Sequence, residues 1–464
     1  MTFLTTVLAF LCSLGPLIIF HELGHYTVAR LCGVKVLRFS LGFGKVIWSR
    51  RFGADQTEWV ISMLPLGGYV RMLDDRDPDT RAVSEADQAR EYTRKNVWQR
   101  IAIVAAGPLA NFLLAVAVFG GLYMVGMDEI GTRVRTMDAA TPAYQAGLRG
   151  GDRIVAVNGE PVATYAELRW ETLKAVLDKN GMRLDVTQPG GARYSATLPP
   201  AALAGKNAEG DLLGELGMPM YLSPVTIGKI PDPSGPAGRA GMLPGDRVVS
   251  IDGKSVPDGS VLMKLVGQSC GRTLEFVIER GGRTLTLAVT PELNKATNIS
   301  RINAQVISAP EMVKVTLGPF EAIAAGAATT WQQSVMSLKM IGKMVTGQVS
   351  LTNLTGVVTI ADYAGKTARM GPIEFLGFIA VVSVSLGVMN LLPIPVLDGG
   401  LLLYYSLEVL TGRPLPDRIV ELAQRAGIVF LVMLMALALF NDVARLMQPA
   451  PTPPANTYVR CSND

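Results

Sequence analysis

The sequence is poor in histidine, with only two in 464 residues. Its four cysteines are scattered without short pairing, and Cys270 is alone in a long polar stretch, so we expect no structural disulfide there. The net charge of +4 is small, and no basic stripe is interleaved with aromatic residues. The small charge and the missing basic stripe argue against a nucleic-acid partner.

Apolar residues make up 49% of the chain and concentrate near residues 3–32, 99–125, 373–397 and 427–440. The first of these stretches is preceded by no positive charge and followed by no small-residue cleavage site, so we expect a retained span rather than a cleaved signal. The predicted fold class is an α-helical membrane protein with four transmembrane helices around one large soluble insert. We assign the spans to residues 1–32, 97–126, 372–400 and 425–446.

Lysine and arginine are unevenly distributed and predict the orientation. They are frequent in the loop at 30–100 and absent from the N-terminal tip, and the loop at 401–424 also carries arginines. By the positive-inside rule these loops face the cytoplasm. The termini and the insert then lie outside, which is the periplasm if the bilayer is a bacterial inner membrane.

Both histidines lie in the first span, in the pattern His21-Glu22-x-x-His25. Positions i and i+4 share one face of a helix, so the two imidazoles can bind one metal ion, with Glu22 beside them. A chance match is common in soluble helices. Ionisable groups at membrane depth are costly, however, and persist mainly at functional sites, which favours a metal site.

A catalytic zinc ion needs three protein ligands and an open position for water. No third histidine exists, and Asp398 follows the cytoplasmic end of the third span, near the expected depth of His25. We therefore predict Zn²⁺ held by His21, His25 and Asp398, with Glu22 as the base that takes the water proton. Cys32 is a weaker candidate ligand, and Asp398 as a simple helix cap is the alternative.

The region at 33–96 contains four short β-branched and aromatic segments separated by glycines. They predict a small sheet dipping toward the membrane beside the metal helix, or else an ordinary cytoplasmic pair of hairpins. The predicted strands are Lys35–Ser40, Val46–Arg51, Thr57–Met63 and Gly68–Met72. In the second span, Pro108 and Asn111 predict a local break that packs against a neighbour, with a simple kink as the alternative.

The insert contains an internal repeat, because residues 146–159 recur at 240–253 with a constant offset of 94 residues. A glycine turn, an aspartate, an alternating strand and an Asn-Gly or Asp-Gly turn describe a small β-rich fold that resembles PDZ domains. We predict two such domains, at 127–221 and 222–295, which either accept an extended peptide or act as rigid spacers.

The remaining segments connect and end the chain. Residues 296–371 predict a linker with amphipathic helices, including Phe320–Val345, that leads back to the membrane. Pro393 and Pro395 must break the helix at the end of the third span. The tail at 447–464 is proline-rich and predicted to be disordered.

Two motifs together resemble the site-2 protease family. They are His21-Glu22-Leu23-Gly24-His25, and Asn390-x-x-Pro393-x-Pro395-x-Leu397-Asp398-Gly399, with the PDZ-like repeats between them. The resemblance covers residues 1–446. It implies cleavage of single-span proteins within the bilayer, the usual substrates being a trimmed anti-sigma factor and remnant signal peptides.

The resemblance also implies site residues. Asn390 and the proline-broken segment with Pro393 and Pro395 would contact an extended substrate. Three further residues look like the family's membrane-associated β-loop and would hold substrate as a strand, namely Gly42, Phe43 and Gly44. Leu401 and Val357 depart from the family pattern. Neither is a predicted metal ligand, so the departures concern the residues that orient the ligands and the geometry of one loop.

Two other functions fit parts of the sequence. A non-catalytic, membrane-tethered PDZ scaffold would use the repeat and treat the histidine motif as a relic. A zinc transporter is a weaker alternative, because one tight metal site with a water-activating glutamate suits hydrolysis better than the transport of zinc across a membrane.

Overall fold

A computed structural model describes residues 2–74, 85–135, 137–178, 180–204, 211–294, 299–347 and 356–447. These residues form two compact units. The helical unit contains the described residues of 1–127 and 316–450, and the β-rich unit contains those of 128–315. The predicted disordered tail lies outside the described residues beyond Met447.

The N-terminal part of the helical unit consists of three helices and two long strands. In chain order these are α1 (Thr2–Leu31), β1 (Val36–Phe52), β2 (Thr57–Met72), α2 (Glu85–Gln88) and α3 (Val97–Val125).

Strands β1 and β2 pair antiparallel and fold back on each other. Phe39 in β1 pairs with both Trp59 and Val70 in β2, and Trp48 pairs with Ile61. Two long strands therefore provide four paired segments, close to the four short strands predicted. The reversals occur where Gly42, Gly44 and Gly67 have positive φ, a conformation that glycine adopts without a steric penalty.

Helix α3 begins at a capping box, in which the Asn96 side chain accepts from the Gln99 amide and the Gln99 side chain accepts in return. The helix then runs without interruption through Pro108 to Val125. The break predicted at Pro108 is therefore wrong. The helix continues because a proline removes only one backbone hydrogen bond, and α3 is held on several sides by contacts with other helices of the unit.

The C-terminal part of the helical unit consists of α10 (Pro319–Val345), α11 (Val357–Met370), α12 (Pro372–Leu391), α13 (Asp398–Thr411) and α14 (Asp417–Met447), numbered in chain order after the helices of the β-rich unit. Helix α12 ends before Pro393 and Pro395, as predicted, and the third predicted span is thus one helix and the start of another. The sequence 353–356 also predicts a turn and the start of a helix; residues 353–355 lie outside the described residues, and α11 begins after its N-cap residue Gly356.

Four helices of the described chain are long and apolar enough to cross a membrane, which agrees with the four predicted spans. They are Leu4–Leu31, Val97–Val125, Pro372–Leu391 and Arg418–Ala444. Helices α3 and α12 share a buried core that contains Ala115, Phe119, Leu122, Ala380, Val384 and Val388.

The β-rich unit has two separate hydrophobic cores. In chain order its elements are β3 (Met127–Ile130), α4 (Pro142–Gln145), β4 (Arg153–Val157), β5 (Glu160–Pro161), α5 (Tyr165–Leu177), β6 (Met182–Thr187), β7 (Arg193–Leu198), α6 (Pro200–Leu203), α7 (Leu212–Leu216), β8 (Thr226–Ile227), α8 (Pro236–Arg239), β9 (Arg247–Ile251), β10 (Lys254–Ser255), α9 (Gly259–Gly267), β11 (Leu274–Arg280), β12 (Arg283–Val289), β13 (Glu292–Asn294), β14 (Ile299–Arg301), β15 (Val306–Ile307) and β16 (Met312–Val315). One core lies between Val134 and Met218, and the other between Val225 and Ile302.

The repeat in the sequence is a repeat in the structure. Helix α4 and strand β4 of the first half correspond to α8 and β9 of the second half at the same offset. Asn158 and Asp252 both have positive φ in the turn that follows the strand. The second half continues past the predicted bound at 295, because β15 pairs with β8.

Candidate metal centre

Helix α1 places two histidine side chains against a neighbouring helix. His21 and His25 are one turn apart and project toward the same side, with 3.4 Å between their Nε2 atoms. Helix α1 approaches α3 closely at Gly24, where an added Cβ would overlap the Ala106 carbonyl oxygen. Small residues allow such close approach between membrane helices, and the two histidines are thereby brought against α3.

Asp398 reaches the two histidines from another part of the chain. It is the first residue of α13, after the turn that follows α12. Within that turn Val396 has a φ of 90°, which is rare and strained for a β-branched residue. The turn therefore redirects the chain so that the Asp398 carboxylate faces α1.

The three side chains form a compact triangle of potential ligand atoms. Asp398 Oδ2 lies 3.3 Å from His21 Nε2 and 3.5 Å from His25 Nε2, and the imidazole nitrogens are 3.4 Å apart. Ligand atoms about 2.0–2.1 Å from a tetrahedral zinc ion are separated by about 3.3–3.4 Å. The side chains present therefore fit a zinc ion with one coordination position left open.

Helix α3 provides partners for the other nitrogen of each ring. His25 Nδ1 lies 2.8 Å from the Ile103 carbonyl oxygen, and His21 Nδ1 lies 3.2 Å from Asn111 Nδ2. Gly107 lies between these positions, and a Cβ there would overlap both imidazole rings. Such outer contacts orient the rings and direct the Nε2 atoms toward Asp398.

A cavity of about 1070 Å³ contains the triangle and Glu22. Glu22 is buried, with 7% of its surface exposed. Gly68 of β2 stands against it, since an added Cβ would lie 2.8 Å from Glu22 Cγ. The cavity is large enough for a peptide segment. The Glu22 carboxylate lines the same cavity as the three potential ligands.

The structure brings some of the predicted substrate contacts to this cavity. Phe43 and Asn390 line it. Gly42 instead packs beneath the Leu64 backbone, and Pro393 and Pro395 lie in the turn before Asp398 rather than among the lining residues. Gly44 is likewise outside the lining residues, and substrate contact at all six of these positions remains a prediction.

Several residues of the wall were missed from the sequence. The end of β2, from Gly67 to Met72, lines the cavity beside His21 and Glu22. The Gly67-Gly68 pair was a usable signal, because glycine in a strand often marks a close approach of the backbone. Leu401, one of the departures from the family pattern, also lines the cavity.

A second contact fixes α13 near the site. Arg100 of α3 forms an ion pair with Glu408 at 2.6 Å and stacks over the Tyr405 ring at 4.7 Å. The Tyr405 hydroxyl accepts a hydrogen bond from Tyr92 at 3.0 Å. These contacts hold the helix that begins at Asp398. Cys32, the alternative ligand, packs instead in an apolar cluster with Ala29 and Ile103.

Two imidazoles and a carboxylate that can hold one metal ion, with a glutamate in the same cavity, are the side chains typical of a metallopeptidase site. Residues 9–434 match peptidase family M50. The chain is 39% identical over 456 residues to a putative zinc metalloprotease of Ralstonia nicotianae, which covers 95% of this chain and 98% of the relative. It is 37% identical over 453 residues to the regulator of sigma-E protease RseP of Escherichia coli, which covers 96% of this chain and 100% of the relative.

A putative zinc metalloprotease of Neisseria meningitidis is 39% identical over 460 residues, which is 95% of this chain and 99% of the relative. The chain therefore belongs to peptidase family M50, the site-2 protease family, and its cofactor is zinc.

Proposed function

We propose that this protein is an intramembrane zinc metalloprotease that hydrolyses peptide bonds within transmembrane segments of single-span proteins. The observation that carries the proposal is the triangle of His21, His25 and Asp398, with sides of 3.3–3.5 Å. The histidines lie on α1, which is long and apolar enough to span a membrane, and Asp398 follows the end of α12, a second such helix. These three residues are the proposed zinc ligands.

Glu22 is the proposed general base. A zinc ion bound here would act as a Lewis acid, polarising the scissile carbonyl and lowering the pKa of a water molecule bound to it. Glu22 accepts the proton of the attacking water and returns it to the leaving nitrogen. Its burial beside Gly68 keeps the carboxylate on the cavity side of α1, where it can reach both the water and the departing amine.

The cavity wall formed by the end of β2, beside α1, supports an extended substrate. The end of β2 pairs on one side with β1, and its residues Gly67–Met72 line the cavity. A substrate segment added there as a strand would find backbone donors and acceptors. Asn390 can donate to its backbone, and Phe43 lies at the cavity wall. A helical substrate must unwind first, because its own amides are occupied.

The substrates we propose are a trimmed anti-sigma factor and remnant signal peptides. The name of the relative in Escherichia coli, a regulator of sigma-E protease, supports the first of these. We place the protein in a bacterial inner membrane, with the active site toward the cytoplasm, where the arginine-rich loop lies.

The two halves of the β-rich unit are proposed to be PDZ domains on the periplasmic side. Their repeated strand, turn and helix order supports this assignment. They would act as a size filter that admits only substrates whose outer domain has been removed. Strand β3 pairs with β16, so the two ends of the unit are adjacent and a short linker can replace residues 128–315. That variant is expected to cut untrimmed substrate, and intact untrimmed substrate would refute the filter.

The test of the protease proposal is cleavage of a membrane-spanning reporter by purified protein in lipid. Glu22→Gln is expected to bind zinc in the same amount as the unchanged chain and to cleave at least about 100-fold more slowly. Glu374→Gln, at the start of α12, is the matched control and is expected to cleave normally. Normal cleavage by Glu22→Gln would exclude Glu22 as the base.

A further inference from the structure

Asn111 is completely buried in α3 and touches the metal centre from outside the cavity. Its relative exposure is 0%, and it is absent from the residues that line the cavity. Its side chain lies 3.2 Å from His21 Nδ1, and its backbone carbonyl accepts from the Ser383 hydroxyl of α12 at 2.8 Å. Asn111 therefore contacts a proposed ligand without being able to contact substrate.

The amide as placed presents Nδ2 to the ring, and Asn111 Oδ1 is buried without a hydrogen-bond partner among the described residues. The oxygen and nitrogen of an amide differ little in shape, so the orientation follows from the hydrogen-bond network. A neutral imidazole that offers Nε2 to a metal must carry its proton on Nδ1. Two donors would then face each other across 3.2 Å.

Rotation of the amide by half a turn resolves this conflict. Asn111 Oδ1 then accepts the His21 Nδ1 proton, and Nδ2 takes the position that Oδ1 leaves. The second imidazole already shows the same arrangement, since His25 Nδ1 faces the Ile103 carbonyl oxygen at 2.8 Å. A carbonyl oxygen can only accept, so His25 also carries its proton on Nδ1 and offers Nε2 to the metal.

We propose that Asn111 is a positioning residue, whose amide oxygen fixes the Nδ1-protonated tautomer of His21 and holds its Nε2 toward zinc. Helix α3 thus selects the tautomer of both proposed imidazole ligands, by a side chain at one and by a backbone carbonyl at the other. The inference rests on the proposed zinc ligands and adds a residue that the H-E-x-x-H motif does not contain.

Two substitutions separate an accepting role from mere packing. Asn111→Asp keeps the shape and presents only acceptors, so it is expected to bind zinc at least as tightly as the unchanged chain. Asn111→Leu fills a similar volume without an acceptor and is expected to bind zinc about 10- to 100-fold more weakly. Ser383→Ala removes the contact to the Asn111 backbone but leaves its amide, and it is the control for helix packing. Zinc affinity is measured by competition with a chelator on the full chain in detergent.

The tautomers are read by nitrogen NMR of the full chain labelled with [¹⁵N]histidine. Only two histidines occur, so every imidazole signal comes from this site. In the zinc-loaded chain both rings are expected to be protonated at Nδ1 and coordinated through Nε2, and Asn111→Leu is expected to alter one ring only.

Wild-type affinity and an unchanged spectrum for Asn111→Leu would overturn the proposal. So would equal losses for Asn111→Asp and Asn111→Leu, since the amide would then act as a donor or by packing. If zinc shifted neither imidazole of the unchanged chain, the proposed ligand set itself would fail together with this inference, whereas coordinated imidazoles insensitive to Asn111 would leave the ligand set standing.

Discussion

Asp442 in α14 caps a different helix, because its Oδ1 accepts the Thr359 hydroxyl at 2.5 Å at the start of α11. The carboxylate also accepts the backbone amides of Gly356, Val358 and Thr359 at 2.9–3.1 Å, and only 1% of Asp442 is exposed. Gly356 has no side chain that could serve as the cap, so a residue distant in sequence satisfies the orphan amides of the first turn.

Loss of this cap should destabilise the helical unit. We expect Asp442→Ala to lower the free energy of unfolding by about 2 kcal/mol, with Asp442→Asn intermediate because it keeps one acceptor. Thermal unfolding of the full chain in detergent, followed by helix content, measures the change. Asp362→Ala removes an exposed ion pair with Lys366 on α11 and should change stability by less than about 0.5 kcal/mol. Equal effects of the two alanine variants would contradict the capping role.

Gly107 determines how closely α3 approaches the histidines. A Cβ at this position would overlap both imidazole rings, so Gly107→Ala is expected to push α3 and α1 apart at a cost of about 1–3 kcal/mol and to lower the zinc content of the purified chain. Gly121 is on the same helix, and a Cβ added there would meet open space, so Gly121→Ala should retain full zinc. Full zinc in both variants would show that the rings have room to move.

Val396 holds the turn before Asp398 in a strained conformation. Its φ of 90° is disfavoured for a β-branched residue, and relief of that strain should raise the free energy of unfolding of Val396→Gly by about 1 kcal/mol. The neighbouring Leu397 has an ordinary φ of −88°, so Leu397→Gly should lower stability instead. Denaturant titration of both variants measures the two effects, and destabilisation by Val396→Gly would contradict stored strain at this turn.

Asp246 makes the stability of the β-rich unit depend on pH. Burial alone would raise its pKa, but hydrogen bonds from the Arg280 guanidinium and the Leu243 amide hold the pKa below the ordinary value of 3.8. The folded state therefore binds this proton less readily than the unfolded state. The resulting stabilisation is present above pH 3.8 and is lost as the pH falls through the lower folded pKa.

Asp246→Asn should therefore destabilise the unit near neutral pH and flatten its acid dependence. Hydrogen exchange of the second core between pH 5 and about pH 2 would measure this. Glu160→Gln changes an exposed carboxyl and should leave the profile unaltered. An Asp246→Asn profile as steep as that of the unchanged chain would assign the acid dependence to other groups.

The cluster of His21, His25 and Asp398 could be predicted because residues of these types are rare near the apolar runs of this chain. Two histidines at helical spacing and few acids near the spans leave Asp398 as the natural third ligand. Four apolar runs likewise predict the four long helices, and the 94-residue offset predicts two similar folds. Each apolar run and the histidine spacing can be read within one segment, and the third ligand and the repeat follow from comparing a few segments by residue type alone.

The contacts between segments could not be predicted in the same way. Asn111, Gly107 and Ile103 face the histidines only because α3 has a particular rotation against α1, which is set by packing at Gly24 and Gly107 rather than by the sequence of either helix alone. The cavity wall at Gly67–Met72 depends on how β2 folds back on β1. The Asp442 cap joins two helices that are distant along the chain.

The most direct test of the metal centre is the zinc X-ray absorption spectrum of the purified full chain. Two imidazole ligands with oxygen completing the shell at about 2.0–2.1 Å are predicted, and Asp398→Asn should change the oxygen contribution while both imidazoles remain. Sulfur scattering at about 2.3 Å, or fewer than two imidazoles, would contradict a centre built from His21, His25 and Asp398.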